Sequence, residues 1–251
     1  MRAVFPQDLE DALKIDFLSA LREGYFVEVG ANEPQRASQT WELERRGWRG
    51  ILVEPQPDLA ERLRRERNAQ VVAAACSRPE NGGRRMTLQL AGPHSSMTEV
   101  VPGATKFGRI EVPVLTLDAI LQQAGAPAPI DFVSIDVEGH ELDVLRGFDL
   151  ARWQPRLILI EDHLAQLAVH RHLTRAGYRL IRRTGFNSWY VPAATAPRLG
   201  RGCLELARKL YLSLPFRVAR NWKRRLLGQY GFMPVPACAA RMVSARRPCR
   251  A

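Results

Sequence analysis

Three short stretches carry residues that could do chemistry. In residues 131–139, DFVSIDVEG, alternating apolar positions bring Asp136 to the end of a strand, with Glu138 two places further on. In residues 156–163 an apolar run ends in Glu161, Asp162 and His163. In residues 25–34, YFVEVGANEP, an acid, Glu28, is embedded in a strand-like run that breaks at Gly30, Ala31 and Asn32. Carboxylates and an imidazole at strand ends are groups that take a proton as a new bond forms. His163, with an ordinary pKa near neutrality, is the first candidate for a general base and Glu138 the second, with Asp136 positioning the reacting groups. Asp136, Glu161 and Asp162 also make an oxygen-rich set of the kind that holds Mg2+, although nothing in the spacing requires a metal.

The elements that must position these groups alternate along the chain. Strands are predicted near 25–30, 50–54, 70–75, 131–136 and 157–161, with helices near 37–47, 57–67, 116–124 and 139–147, the pattern of a doubly wound parallel sheet. Ligands of such sheets bind outside the carboxyl ends of the strands. A strand running into Gly30, Ala31 and Asn32 before a helical pattern lets a ligand approach backbone N–H groups. The full G-x-G-x-x-G spacing is missing, because Asn32 and Gln35 stand where further glycines would be, and a dinucleotide pyrophosphate is therefore disfavoured. The second strand, in WRGILVEP, ends in Glu54 and Pro55, where such folds place a carboxylate that accepts hydrogen bonds from ribose hydroxyls.

Departures from the alternation mark the borders of the site. Residues 81–113 read as a β excursion with a polar tip at 94–98, either a cover over the open end of the sheet or a mobile surface loop. Residues 178–183 and 188–191 bracket Gly185, Phe186 and Asn187 and read as an antiparallel hairpin closing the sheet. Leu9, Leu13, Phe17 and Leu21 recur every four residues, which predicts an amphipathic N-terminal helix, a cover for the sheet edge or a lid over the cofactor. His140, His170 and His172 fall on predicted helices and are set aside as solvated.

VEVGAN, GW-x-G-x-x-VEP and IDFVSIDVEGHELDVLRGF, in that order, resemble the FkbM family of S-adenosylmethionine-dependent methyltransferases, and the likeness runs from about Tyr25 to Val191. The resemblance implies a class I, Rossmann-like α/β methyltransferase fold and methylation of a hydroxyl oxygen. Carried over residue by residue, it puts Glu28, Gly30, Ala31 and Asn32 at the methionine end of the cofactor, Glu54 and Pro55 at its ribose, and Ala75 and Cys76 at its adenine. Asp136 and the following VEG would form the floor between cofactor and acceptor. Glu33-Pro34 departs from the pair usual in this family, which puts the turn geometry in question.

Charge separates a catalytic body from a tail. Residues 198–251 hold thirteen lysines and arginines against one acid, Glu205, so the net charge of +11 resides there and the preceding body is nearly neutral. A neutral body disfavours a nucleic-acid substrate, which needs a basic face. The expected organisation is an N-terminal helix (1–24), a methyltransferase domain (25–197), a basic amphipathic extension (198–233) and a disordered tail (234–251). Residues 198–228 combine leucines, Trp222 and clustered arginines, the composition that lies on an anionic membrane surface or packs on the body. The four cysteines show no CxxC spacing, and no signal-peptide pattern or long apolar run occurs, which fits a cytoplasmic protein, peripheral on the inner face of the membrane if the tail docks there. The expected activity is O-methylation of a sugar or glycoconjugate hydroxyl, on a small or lipid-linked acceptor. The alternatives are a polyketide or peptide hydroxyl, or a non-catalytic membrane-associated module with a degenerate methyltransferase fold.

Overall fold

The computed structural model describes residues 6–91, 95–97, 107–162 and 167–195, with Leu204 and Ala207 beyond them. His163, the extension at 198–233 and the tail at 234–251 lie outside the described residues or almost wholly so. The first half of the chain forms α1 (Pro6–Leu18), β1 (Tyr25–Val29), α2 (Trp41–Glu44), β2 (Arg49–Val53), α3 (Pro57–Glu66), β3 (Gln70–Val72), β4 (Ala75–Cys76), β5 (Arg85–Leu90) and β6 (Gly108–Leu115). The second half forms α4 (Leu117–Gln123), β7 (Phe132–Ile135), α5 (Glu141–Arg146), α6 (Leu150–Trp153), β8 (Leu157–Glu161), α7 (Ala168–Arg175), β9 (Tyr178–Thr184) and β10 (Asn187–Pro192).

Seven strands make one sheet in the order β3-β2-β1-β7-β8-β10-β9. The pairs from β3 to β8 are parallel, and β10 runs antiparallel to both of its neighbours, as the hairpin pattern predicts. The chain winds outward from β1 to β3 in one direction and from β7 to β8 in the other, so the winding reverses between β1 and β7. Both faces are covered, which is why the strands read as near-continuous apolar runs. Val27, Val29, Ile51, Val53, Val133, Ile135, Ile158 and Ile160 face one core with α4, α5 and α7. Phe26, Leu52, Phe132, Leu157 and Leu159 face the other, which α1, α2 and the loop before β2 close with Leu18, Leu43 and Trp48.

Two elements differ from expectation. The helix expected over 37–47 shrinks to the four residues Trp41–Glu44, because Ser38 and Thr40 hydrogen bond to Glu28 and hold the preceding segment as a loop. The single strand expected over 70–75 splits: Gln70–Val72 stays in the main sheet, and Ala75–Cys76 leaves it to pair with β6 in a three-stranded sheet of order β4-β6-β5. That smaller sheet, built from the excursion, has its own apolar cluster of Ala75, Leu88, Val112 and Val114.

Candidate active site

The loops after β1, β2 and β7 part at the reversal point and leave an open cleft. Gly30 turns at φ +84, and a Cβ there would lie 1.8 Å from the Asp136 carbonyl oxygen, so the tips of β1 and β7 meet at a position only glycine fits. The N–H groups of Gly30 and Ala31 donate to the Val53 carbonyl at 2.9 and 3.1 Å, folding the turn across the end of β2. Asn32, at φ +51, donates its N–H to Glu54 Oε2 at 2.9 Å, and the N–H of Gln56 donates to Glu54 Oε1 at 2.8 Å. All three N–H groups of the turn are thus engaged within the chain. The backbone N–H groups that the sequence pattern offered to a ligand are therefore already taken. Among the described residues, the charged groups lining the cleft are Glu54, Asp136 and Glu138 against Arg36, an electrostatic setting for a cationic ligand rather than a pyrophosphate.

Glu54 is only 2% exposed, and burial pushes its carboxyl up to about 7 against the opposing pull of those N–H bonds. Asp136, Glu138 and Glu161 offer carboxylate oxygens that all lie within 4.8 Å of one another at the tips of β7 and β8, beside the cleft. Burial pushes the Glu161 carboxyl up, and the neighbouring Asp136, Glu138 and Glu141 push it further. Glu138 sits at φ +52, a left-handed conformation unusual for a residue with a side chain. Glu141 holds this loop from below, accepting the Gly139 N–H at 2.8 Å, while Ser96 of the excursion donates its hydroxyl to the Glu138 carbonyl at 2.9 Å. With Leu88, Ser95 and Met97 in the cleft wall, the described part of the excursion is a cover over the open end.

Three sequence readings change. Asp162 does not join the acid cluster; Glu138 takes its place. Adjacent residues of a strand point to opposite sides, so Glu161 and Asp162 cannot both face the cleft, and Asp162 is buried against the hairpin, accepting from the Ser188 hydroxyl at 3.4 Å. Glu28 stands beneath the cleft rather than in its wall, and its oxygens accept from Ser38 Oγ, Gln39 N and Thr40 Oγ1 at 2.9, 2.6 and 2.5 Å. His140, set aside as solvated, is 6% exposed and lines the cleft. Its Nε2 lies 2.9 Å from Ser77 Oγ, which also accepts from Asn81 at 2.8 Å, and burial chiefly lowers its pKa, so the ring is neutral at physiological pH. Its contact to Ser77 spans 63 residues and exists because β4 leaves the main sheet, which no local pattern signals. Cys76, although in the wall, is an inert thiol, pushed up to about 12 by burial.

A profile of the methyltransferase FkbM domain matches residues 28–180, more than half of the chain. The chain belongs to the FkbM methyltransferase family. Among solved structures it is similar to the precorrin-6y C5,15-methyltransferase from Geobacter metallireducens GS-15, at 11% identity and a TM-score of 0.39 over 76% of this chain and 90% of that one. A likeness that low carries no argument. No curated protein sequence matches the chain. Membership in the FkbM family implies S-adenosylmethionine as the methyl donor, and the charge and shape of the cleft can be held against that molecule. A sulfonium and an ammonium are cations, and the cleft is net acidic, with Glu54 held by N–H donors that do not exhaust its acceptor capacity. The residues fit. Gly30, Ala31, Asn32, Glu54, Pro55, Ala75, Cys76 and Asp136 of the FkbM domain all line the cleft.

The buried acids make stability pH-dependent. Glu54 and Glu141 have an ordinary value of 4.5 and are each raised to about 7, chiefly by burial. Between those values the folded chain keeps protons that the unfolded chain has released, so stability falls as pH rises through the window, by up to about 1.4 kcal/mol per unit for each group. Glu28 and Glu161, also raised, act in the same direction. Thermal midpoints of the ligand-free FkbM protein should therefore fall from pH 5 to pH 7.5, and Glu54→Gln with Glu141→Gln should flatten the slope.

Proposed function

We propose that this chain is an S-adenosylmethionine-dependent O-methyltransferase acting on a hydroxyl of a sugar or glycoconjugate. The observation that supports this best is the trio of carboxylates, Asp136, Glu138 and Glu161, gathered beside the donor cleft. Carboxylates so placed accept hydrogen bonds from neighbouring hydroxyls of one acceptor and take the proton from the one that attacks. The donor supplies a methyl group on a sulfonium, open to in-line displacement. The chain's own residues do the rest. Glu54 accepts the ribose hydroxyls, the turn at Gly30 admits the methionine end, and Ala75 and Cys76 bound the adenine. Asp136 and Glu138 hold the acceptor oxygen in line, where correct placement is worth several kcal/mol of barrier. The proton passes to Glu138, or to His163, which stands in the sequence two residues after Glu161, the end of β8.

The same three carboxylates have the hard oxygen chemistry that Mg2+ takes, and a cation there would acidify the hydroxyl instead. Treatment with EDTA separates the two roles. We expect methyl transfer to survive it, because proton acceptance by a carboxylate needs no cation; loss of turnover, with recovery on added Mg2+, would reassign the trio to a metal. Among the described residues no helix is long and apolar enough to cross a membrane. The basic, leucine-rich residues 198–228 suit contact with an anionic surface from the cytoplasmic side, which would bring the site to a lipid-linked glycan. The acceptor test is the release of S-adenosylhomocysteine with a panel of nucleotide sugars, glycans presented on anionic lipid vesicles, polyketide alcohols and hydroxyl-bearing peptides. Turnover confined to the last two classes would remove the sugar assignment.

A further inference from the structure

Lys14 of α1 is fully buried, an unusual place for an ammonium group. Its Nζ donates to Asp11 Oδ1 at 2.7 Å, to the Gln39 backbone carbonyl, and to Gln39 Oε1 at 3.2 Å, and it lies 5.5 Å from the centre of the Phe132 ring. An ammonium has three N–H groups, so these acceptors saturate it, and a buried charge is tolerated only on such terms. One helical turn earlier, Glu10 is 5% exposed. Its Oε2 accepts from Gln39 Nε2 at 3.1 Å and from Asn187 Nδ2 at 2.9 Å, and its Oε1 accepts from the Thr184 hydroxyl. Gln39 is therefore held at every polar group, since its backbone N–H goes to Glu28.

These bonds tie together two parts of the site that the sheet keeps apart. Arg36 and Ala37, just before Gln39, line the donor cleft, with Ala37 at φ +62. Asn187, at the start of β10, pairs in register with Glu161 of the acid trio. Among the described residues none of α1 lines the cleft, yet its two buried ionic groups reach the loop that carries Arg36 and Ala37 on one side, through Gln39, and the hairpin beside the acid trio on the other.

We propose that α1 is a strap whose Glu10 and Lys14 are positioning residues for methyl transfer, fixing the donor loop at 36–39 against the β9–β10 hairpin so that donor and acid trio keep one spacing. Methyl transfer depends on that spacing, because misplacement by about 1 Å costs on the order of a hundredfold in rate. The use of the strap in catalysis rests on the donor-site reading above; the mechanical link itself does not.

Amide hydrogen exchange on the full chain tests it. Among the described contacts, Asn187→Ala and Thr184→Val reach α1 through Glu10, and Lys14→Met alters contacts to Asp11, Gln39 and the Phe132 ring but none to the hairpin. In ligand-free protein, the two hairpin substitutions are expected to speed exchange in residues 35–40 on the order of tenfold, and Lys14→Met to speed it at 184–187 to a similar degree. A local structural role would confine each effect to its own segment, and that result overturns the strap. Should Lys14→Met fail to fold, the two hairpin variants alone still separate the strap from a local role. Added S-adenosylhomocysteine is then expected to slow exchange in α1 as well as in 30–37. Slowing in 30–37 without slowing in α1 also overturns the proposal. No slowing in either counts against the donor site, while the ligand-free comparison still decides the strap.

Discussion

Replacing Glu54 by alanine should lower the affinity for S-adenosylhomocysteine by at least two orders of magnitude. Two hydroxyl groups donating to a carboxylate contribute about 1.5–3 kcal/mol each, and the pair together corresponds to a hundredfold or more in Kd. A second effect adds to the first. The N–H groups of Asn32 and Gln56 both end on this carboxylate, so its removal leaves two donors of the cleft wall unmatched and lets the loops after β1 and β2 drift. Glu54→Gln is the sharper probe, because the amide keeps the shape but points an NH2 group at one of those backbone donors. Calorimetric titration should show a loss nearly as large as for alanine. The wild-type affinity should rise between pH 6 and pH 8, since ribose hydroxyls donate best to the charged form of a group that titrates near 7. A wild-type affinity independent of pH, unchanged in both variants, would remove Glu54 from the donor site.

How much of the site is legible in the sequence follows from strand parity. Gly30, Asn32, Glu54 and Asp136 stand just past strand ends, and the place past a strand end is fixed once the alternation of strands and helices is seen. Glu28 stands inside β1, where parity decides: it shares the side of Phe26, opposite to Val27 and Val29, and turns toward the loop at 38–40 rather than the cleft. The same rule separates Glu161 from Asp162. The family resemblance carries Glu28 into the site and nearness to a strand end carries Asp162, and neither counts faces.

Other features lie beyond any local rule. Apolar spacing predicts that α1 is amphipathic, a cover for the sheet edge or a lid, but nothing in the pattern marks Lys14 as a buried ion whose acceptor is Gln39, 25 residues away. The union of His140 with Ser77 depends on two alanines, Ala73 and Ala74, between β3 and β4, where the chain leaves one sheet for the other. A run of small apolar residues looks like uninterrupted strand, and the bend becomes visible only when β6 supplies a partner for Ala75 and Cys76. The loop at 34–40 fails to become helix for a physical reason that is present in the sequence. Ser38 and Thr40 favour local bonding over helix, and Arg67, itself buried, donates to both hydroxyls and to the Pro34 carbonyl.

Gly30→Ala should be the most damaging single methyl group that can be added to the chain's donor site. Its φ of +84 costs an alanine about 1–2 kcal/mol, and the new Cβ would also stand 1.8 Å from the Asp136 carbonyl oxygen. That oxygen belongs to the backbone and cannot swing aside. Asp136 donates its N–H to the Val29 carbonyl at 3.0 Å, and Val29 pairs with Ile135, so relief requires parting β1 from β7 at the point where the cleft begins. Overpacking of this kind typically adds about 1–3 kcal/mol, and the expected loss of stability is therefore about 2–5 kcal/mol, with binding of S-adenosylhomocysteine abolished. Gly47→Ala supplies the control. Gly47 has a φ of +90, and a Cβ there meets nothing within 4 Å, so it carries the backbone cost without the collision. Denaturant unfolding should show Gly47→Ala losing about 1–2 kcal/mol with ligand affinity intact. The difference between the two variants then measures the closeness of the strand tips apart from the conformation of the turn. Equal losses in both would mean that the junction yields, and that the cleft does not depend on the contact between Gly30 and Asp136.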